Sequence, residues 1–275
     1  MLKIATYNIL AQACVPGCGL QTDIDLSWAT RKPMLDARIK SLDADVIGLQ
    51  EVDRCHIEDF VVPFCNKYGY GFYYCSRNAS PVSLERDHGL VLMYRKTVLQ
   101  AQEQSTDVIA NAKAVNRVYL NLRNEPSRNM CFIVGHLQSR TDGSKEHIRT
   151  QQAKDIVALL ERSTCQDKFL LLDANSDKYR EGEELFEVFS RAGYEDHIWP
   201  VHPEFTTKKC RINSFDSSKN GVRVRSIDYI LCHVDNVLRP YSCVKHIPVD
   251  TLPNSNEPSD HLPQVLMVSL EKNGC

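Results

Sequence analysis

An α/β fold is the reading that three features of the sequence support. Short apolar runs recur along the chain and break off into polar or turn-forming residues, which is the mark of buried strands. Between them lie stretches whose apolar residues return at helical spacing. At 275 residues and 43% hydrophobic content, the chain can bury a large core, and one domain over residues 1–275 is expected.

The strand candidates share one property. Ile4-Ala5-Thr6-Tyr7 ends in Asn8, Val46-Ile47-Gly48-Leu49 in Gln50-Glu51, Phe132-Ile133-Val134-Gly135 in His136, and Phe169-Leu170-Leu171-Leu172 in Asp173-Ala174-Asn175. Ser226-Ile227-Asp228-Tyr229-Ile230-Leu231 carries an Asp within an apolar stretch, and Ser259-Asp260-His261 precedes the last run, Val265-Leu266-Met267-Val268. Among the helices, Leu35, Ile39 and Leu42 form a stripe that opens near Pro33 and closes at a turn over residues 43–45. Ile148, Ile156 and Leu160 form a second stripe with Gln152 inside it, where a buried amide needs partners. Arg149, three residues before Gln152, reads as a surface charge. Leu185, Phe186, Val188 and Phe189 make a third helix, stopped by Gly193. Residues 23–30, 78–87 and 208–225 read as rim loops.

A formal charge of -2 supplies no global basic field, which excludes extensive nonspecific binding to duplex nucleic acid. The eleven cysteines are odd in number and lie mostly in element-like segments, as Cys131, Cys165 and Cys232 do, so reduced thiols in an intracellular protein are expected. Cys14 and Cys18 lack a second ligand pair at zinc spacing and read as a loop, and Cys55-His56 has no orienting partner for nucleophilic work. No leader pattern and no membrane-length apolar stretch is visible, so a soluble, cytoplasmic protein is expected. Met1 lies just before the first strand, which leaves room for a trimmed N-terminus and organelle targeting.

Asn, Glu, Asp and His gathered at strand ends amount to a hard-cation site with a base beside it, because carboxylate and amide oxygens suit Mg²⁺. Each residue alone is equally a turn former or a satisfied polar group. Their recurrence favours the site, since buried charges are costly unless paired or bound to metal.

In order along the chain, Tyr7-Asn8-Ile9-Leu10-Ala11-Gln12, Leu49-Gln50-Glu51-Val52, Gly135-His136-Leu137, Leu172-Asp173-Ala174-Asn175, Ile227-Asp228-Tyr229-Ile230 and Pro258-Ser259-Asp260-His261 resemble the motifs of the endonuclease/exonuclease/phosphatase superfamily. Within it, residues 8–12 and 258–263 look most like the group of carbon catabolite repressor deadenylases, Angel proteins and nocturnins, and residues 205–211 are similar to a nocturnin segment. The family's usual Gly-Asp-Phe-Asn stands here as Leu172-Asp173-Ala174-Asn175, and Thr-His-Leu as Gly135-His136-Leu137. The chemical residues are kept while packing residues differ.

The resemblance implies a two-layer β-sandwich of mostly antiparallel sheets flanked by helices. It also implies an Mg²⁺-dependent hydrolase of nucleotide phosphoesters, with Mn²⁺ a substitute. Glu51, with Asn8 beside it and Asp260 through water, would hold the metal. Asp173 would be the base, Asn175 would share its side of the site if the segment stays extended, Asp228 would orient His261, and His136 would donate to a phosphate oxygen. Lys208 and Arg211 would bind substrate. A 3′–5′ exoribonuclease of deadenylase type is the expected activity, and RNA or a nucleotide the expected partner. A 2′-phosphatase on NADP(H), a 2′,5′-phosphodiesterase and a noncatalytic binding protein of the same fold are the rivals.

Overall fold

The computed structural model describes residues 1–79, 87–139, 145–178, 184–197, 205–211, 221–243 and 250–270. Two mixed sheets of six strands lie face to face. The first runs in the order β13 (Leu238–Cys243), β14 (Gln264–Leu270), β1 (Leu2–Asn8), β2 (Val46–Asp53), β4 (His88–Arg95) and β3 (Tyr70–Ser76). The second runs β5 (Leu99–Ile109), β6 (Lys113–Leu122), β7 (Glu125–His136), β8 (Asp167–Asp173), β12 (Asp228–His233) and β9 (Tyr194–Asp196). Each sheet has one parallel pair at its centre, β1 with β2 and β7 with β8, and antiparallel pairs elsewhere. The predicted two-layer, mostly antiparallel sandwich is therefore the fold.

Residue alternation along the strands builds three apolar layers. Ile4, Val46, Leu92, Phe132, Val134, Leu171 and Ile230 fill the seam between the sheets. Ala5, Tyr7, Ile47 and Leu49 point the other way, under α2 (Trp28–Leu42) and α3 (Val62–Tyr68). Ile133, Leu170 and Leu172 meet α4 (Glu146–Glu161) and α5 (Glu184–Arg191) on the far side. At Gly48 the sheets come close enough that an added Cβ would stand 2.8 Å from Leu171 Cδ1. A side chain there would push β2 away from β8 and open the seam next to the polar strand ends.

Several local expectations change. The helix carrying Leu35, Ile39 and Leu42 begins at Trp28, so Pro33 lies inside it rather than near its start. Ser27 O accepts from Thr30 N and Arg31 N, and Asp25 accepts from Ser27 and Thr30, which starts the helix upstream of the proline. Residues 14–18, expected as loop, fall in a 3₁₀ turn (Gln12–Cys14) and α1 (Val15–Cys18). Residues 208–225 hold two strands, β10 (Thr207–Arg211) and β11 (Gly221–Arg225), paired as a ribbon. Most of 78–87 lies outside the described residues. α5 stops as expected before Gly193, whose φ of +80° a side chain would strain.

Arg149 is no surface charge. It is fully buried, donates to Glu146 at 2.8 and 3.1 Å and to Gln138 O at 3.4 Å, because the face of α4 that carries it packs on the chain leaving β7. Gln152 is the expected core hydrogen-bonder, accepting from Gln138 N and donating to Ala110 O, each at 2.9 Å.

Candidate active site

Parallel pairs at the centre of both sheets place four strand C-termini at one edge of the seam. Asn8 ends β1, Glu51 lies near the end of β2, His136 ends β7 and Asp173 ends β8. The antiparallel neighbours start where these strands stop, so His88 opens β4, Asp228 opens β12 beside Asp173, and His261 lies just ahead of β14. A group of polar side chains that would break a strand interior is thus confined to its rim.

Glu51 is aimed by a bulge. Gln50 pairs with Leu90 and Val52 with Gly89, which leaves Glu51 as the extra residue, at a left-handed φ of +58°. Bulges re-aim one side chain in this way, and the strained conformation is held by its surroundings. Glu51 Oε2 accepts from Ala11 N at 3.1 Å, and Oε1 accepts from Asn8 Nδ2 at 3.1 Å. The same Asn8 nitrogen donates to Asp173 Oδ2 at 2.8 Å, while Asn8 Oδ1 accepts from Leu10 N. Asn8, fully buried, therefore couples a carboxylate of one sheet to a carboxylate of the other.

His136 Nε2 lies 3.3 Å from Asp173 Oδ2 and 3.9 Å from Glu51 Oε1. Burial, helped by the charge of Arg77, pushes its pKa well below the ordinary histidine value, so the ring is neutral. Its Nδ1 is buried without a hydrogen-bond partner. Asp173 moves the other way: burial, and then the neighbouring charge of Asp228, raise it to about 6. Burial also works against ionisation of Glu51, but the charges of His88 and His261 hold its carboxyl below the ordinary value.

Beyond Asp173, Asp228 receives His261. Its amide and that of Ile227 donate to Thr206 Oγ1, which fixes the strand start, and its two carboxylate oxygens lie 3.0 and 2.9 Å from His261 Nδ1. Ser259 holds the partner in place, its hydroxyl donating to Asn8 O and accepting from His261 N. Burial opposes a charged imidazole here, yet Asp228 outweighs it and lifts His261 to about 9. On the other side of the ring, Lys209 Nζ stands 3.1 Å from Nε2 and 2.6 Å from Asp260 Oδ2.

The structure thus brings together Asn8, Glu51, His136, Asp173, Asp228, Asp260 and His261. Asn175 does not share their side by an extended strand. β8 ends at Asp173, Asn175 sits at φ +50° with its amide donating to Asp173 Oδ1, and its side chain donates to Leu137 O. The segment is an Asx turn. Lys208 also departs from expectation: strand alternation turns Lys209 to the site, and Lys208 Nζ lies 5.9 Å from the Phe205 ring centroid. The Arg211 side chain lies outside the described residues.

Sequence reasoning missed three further residues. Arg77 is buried and donates to Leu137 O and His136 O. His88 opens an apolar run, the same signal reversed in chain direction. Arg31 is fully buried and donates to Pro258 O, Gln12 Oε1, Ile9 O and Leu10 O, clamping the loops that follow Asn8 and precede His261. Its only signal was a charge at a helix position facing the core.

The donor set fits a hard divalent cation. Ligand atoms of Glu51, His136 and Asp173 lie within 4.8 Å of one another, as do those of Asp173, Asp228 and His261. Glu51, half-buried, and Asp173, fully buried, are carboxylates joined by the Asn8 amide and flanked by the His136 ring, a concentration of negative charge that a cation would offset.

The fold is that of the endonuclease/exonuclease/phosphatase superfamily. No protein-family model matches the chain. The particular likeness is to nocturnin. Nocturnin of Xenopus laevis is 28% identical over 294 residues, covering 94% of this chain and 70% of that protein. The human nocturnin catalytic domain, solved with bound sulfate, superposes with a TM-score of 0.76 at 21% identity, covering 98% of this chain and 94% of that one. ANGEL2, described as a 2′,3′-cyclic phosphatase and solved with adenosine-2′,3′-vanadate, gives 0.75 at 18% identity, covering 98% and 96%.

Proposed function

We propose that this enzyme is a Mg²⁺-dependent hydrolase of nucleotide phosphoesters that removes nucleotides from an RNA 3′ end. The observation that carries the chemistry is Asp173, a buried carboxylate raised to about 6 and set between Asn8, His136 and Asp228. A base with a pKa just below neutrality is ionised at work and still accepts a proton readily.

Glu51 would hold Mg²⁺, with Asn8 and Asp260 contributing through water, and Mn²⁺ would substitute. When bound, the ion supplies positive charge to the phosphate oxygens and the departing oxygen. Asp173 takes the proton of the attacking water. Neutral His136 offers its Nε2–H to a phosphate oxygen entering beside Asp173. Asp228 keeps the Nδ1 proton on His261, which leaves Nε2 to meet phosphate or water. Asn175 acts from the Asx turn, fixing the Asp173 carboxylate through its backbone amide. Arg211 would meet phosphates beyond the reacting one.

A second reading is a phosphatase acting on a small nucleotide, such as the 2′-phosphate of NADP(H), or a 2′,5′-phosphodiesterase. It is supported by the likeness of residues 205–211 to nocturnin and by the adenosine-2′,3′-vanadate that ANGEL2 binds. No described helix is long and apolar enough to cross a membrane. With the described cysteines all free thiols, a cytoplasmic location forms part of the proposal.

A panel of oligo(A), mixed RNA, abasic DNA, 2′,5′-oligoadenylate, adenosine 2′,3′-cyclic phosphate and NADPH, each with Mg²⁺, tests this reading. Stepwise shortening of RNA from its 3′ end supports it. Turnover of NADPH or of the cyclic phosphate with intact RNA selects the second reading, and no turnover of any substrate overturns both.

A further inference from the structure

Lys209 reaches the site from outside the two large sheets, and the reaction as derived above leaves its charge unused. The ribbon that carries it is tied down beside the site. Gln21 N donates to Cys210 O at 2.8 Å, Leu252 N to Lys208 O at 2.7 Å, Thr206 N to Arg225 O at 2.8 Å, and Leu262 N to Thr206 O at 2.8 Å. The ammonium is therefore placed by a frame of backbone hydrogen bonds rather than by a free surface chain. Its side chain is 14% exposed and that of Asp260 is 4% exposed, so their 2.6 Å contact is a largely dehydrated ion pair.

Two donor triads share Asp173, and they differ in what already stands beside them. In the first, Asn8 joins Glu51 to Asp173 beside the His136 ring, and the neighbouring Arg77 donates to the His136 and Leu137 carbonyls. Asp173, Asp228 and His261 stand next to Asp260, and there the ammonium already pairs with Asp260 Oδ2 and stands 3.1 Å from His261 Nε2. Two-metal phosphoester sites place their ions roughly 3.5–4 Å apart, one on each side of the reacting phosphate. An ion on the His261 side would have to share its donors with a fixed positive charge, and in a poorly solvated pocket that repulsion is strong.

Resting on the metal-dependent reading above, we propose that Lys209 is a built-in cation in the place of a second divalent ion. The chain then takes one metal ion, on the Glu51 side of Asp173. The lysine supplies the positive charge on the His261 side.

Counting bound Mn²⁺ tests this without substrate or turnover, by equilibrium dialysis together with the paramagnetic resonance signal of the free ion. The wild-type chain is expected to bind one ion. Lys209→Gln and Lys209→Met should each bind two, and Lys209→Arg, which keeps the charge, one. Circular dichroism and melting establish that each variant is folded, and Lys209→Gln retains a polar side chain for Asp260 should Lys209→Met unfold. Two ions in the wild type, or one in the folded neutral variants, overturns the proposal while leaving phosphoester hydrolysis untouched. No ion bound by the wild type overturns it together with the metal-dependent reading.

Discussion

Asp228 opens β12 of one sheet and His261 lies in the segment leading into β14 of the other, with His261 Nδ1 3.0 and 2.9 Å from the two carboxylate oxygens. An orienting carboxylate has no task once its imidazole is gone. The losses from Asp228→Asn and His261→Ala should therefore overlap, the double variant being little worse than the poorer single one. Losses that multiply independently in a double-mutant cycle of turnover would refute the coupling.

The same pair predicts a pH dependence of stability. His261 is raised from 6.5 to about 9, so its contribution is fully present below 6.5 and is lost as pH rises through about 9. Melting temperature should fall over that window in the wild type. In Asp228→Asn the fall should be smaller and shifted to lower pH, and an unchanged profile would sink the assignment.

For Asp173→Asn, the expected loss of turnover is roughly 10²- to 10⁴-fold, the range for removing a general base. Because Asp173 is raised from 3.8 to about 6, it favours the fold fully below 3.8 and loses that contribution as pH rises through about 6. In the metal-free protein, stability should therefore drop across that interval, and the drop should be absent in the Asn variant. Near-native turnover would reduce Asp173 to its Asx turn.

Glu51→Gln keeps shape and removes one charge from the donor set. The half-saturating Mg²⁺ concentration should rise with little change in melting temperature. An unchanged metal titration and rate would place Glu51 outside the site.

Arg31→Met should destabilise the protein by about 3 kcal/mol or more, because it strands several buried acceptors at roughly 1–3 kcal/mol each. Arg31→Lys should recover little, since one ammonium cannot reach Pro258 O and the Ile9 and Leu10 carbonyls together. Urea unfolding measures both, and a loss under about 1 kcal/mol would contradict the clamp.

Local pattern made a good part of this legible. A strand needs apolar residues on both faces when it is buried on both, and Ile4-Ala5-Thr6-Tyr7 and Phe169-Leu170-Leu171-Leu172 declare that need without reference to anything distant. Asn8, Glu51, His136 and Asp173 were visible for the same reason, as polar side chains that follow directly on apolar runs. Lys209 was not separable from Lys208, because a ribbon's facing depends on how it docks. Arg149 looked like a surface charge on an amphipathic helix and Arg31 went unmarked, since no local rule marks which polar side chain will find carbonyl partners far along the chain.

The sequence by itself thus determined the α/β class, the central strands and the chemical types at their ends, which follow from short-range periodicity and the cost of burying charge, while the two-layer arrangement came only from the family resemblance. Tertiary structure alone decided which of those groups touch. Asn8 meets Asp173 because two parallel pairs, one in each sheet, bring their ends to the same edge, and Asp228 meets His261 because β12 starts beside the end of β8 while Ser259 ties the segment before β14 to Asn8. Contacts between residues so far apart in the chain are set by how the sheets pack, and no neighbour in sequence records that choice.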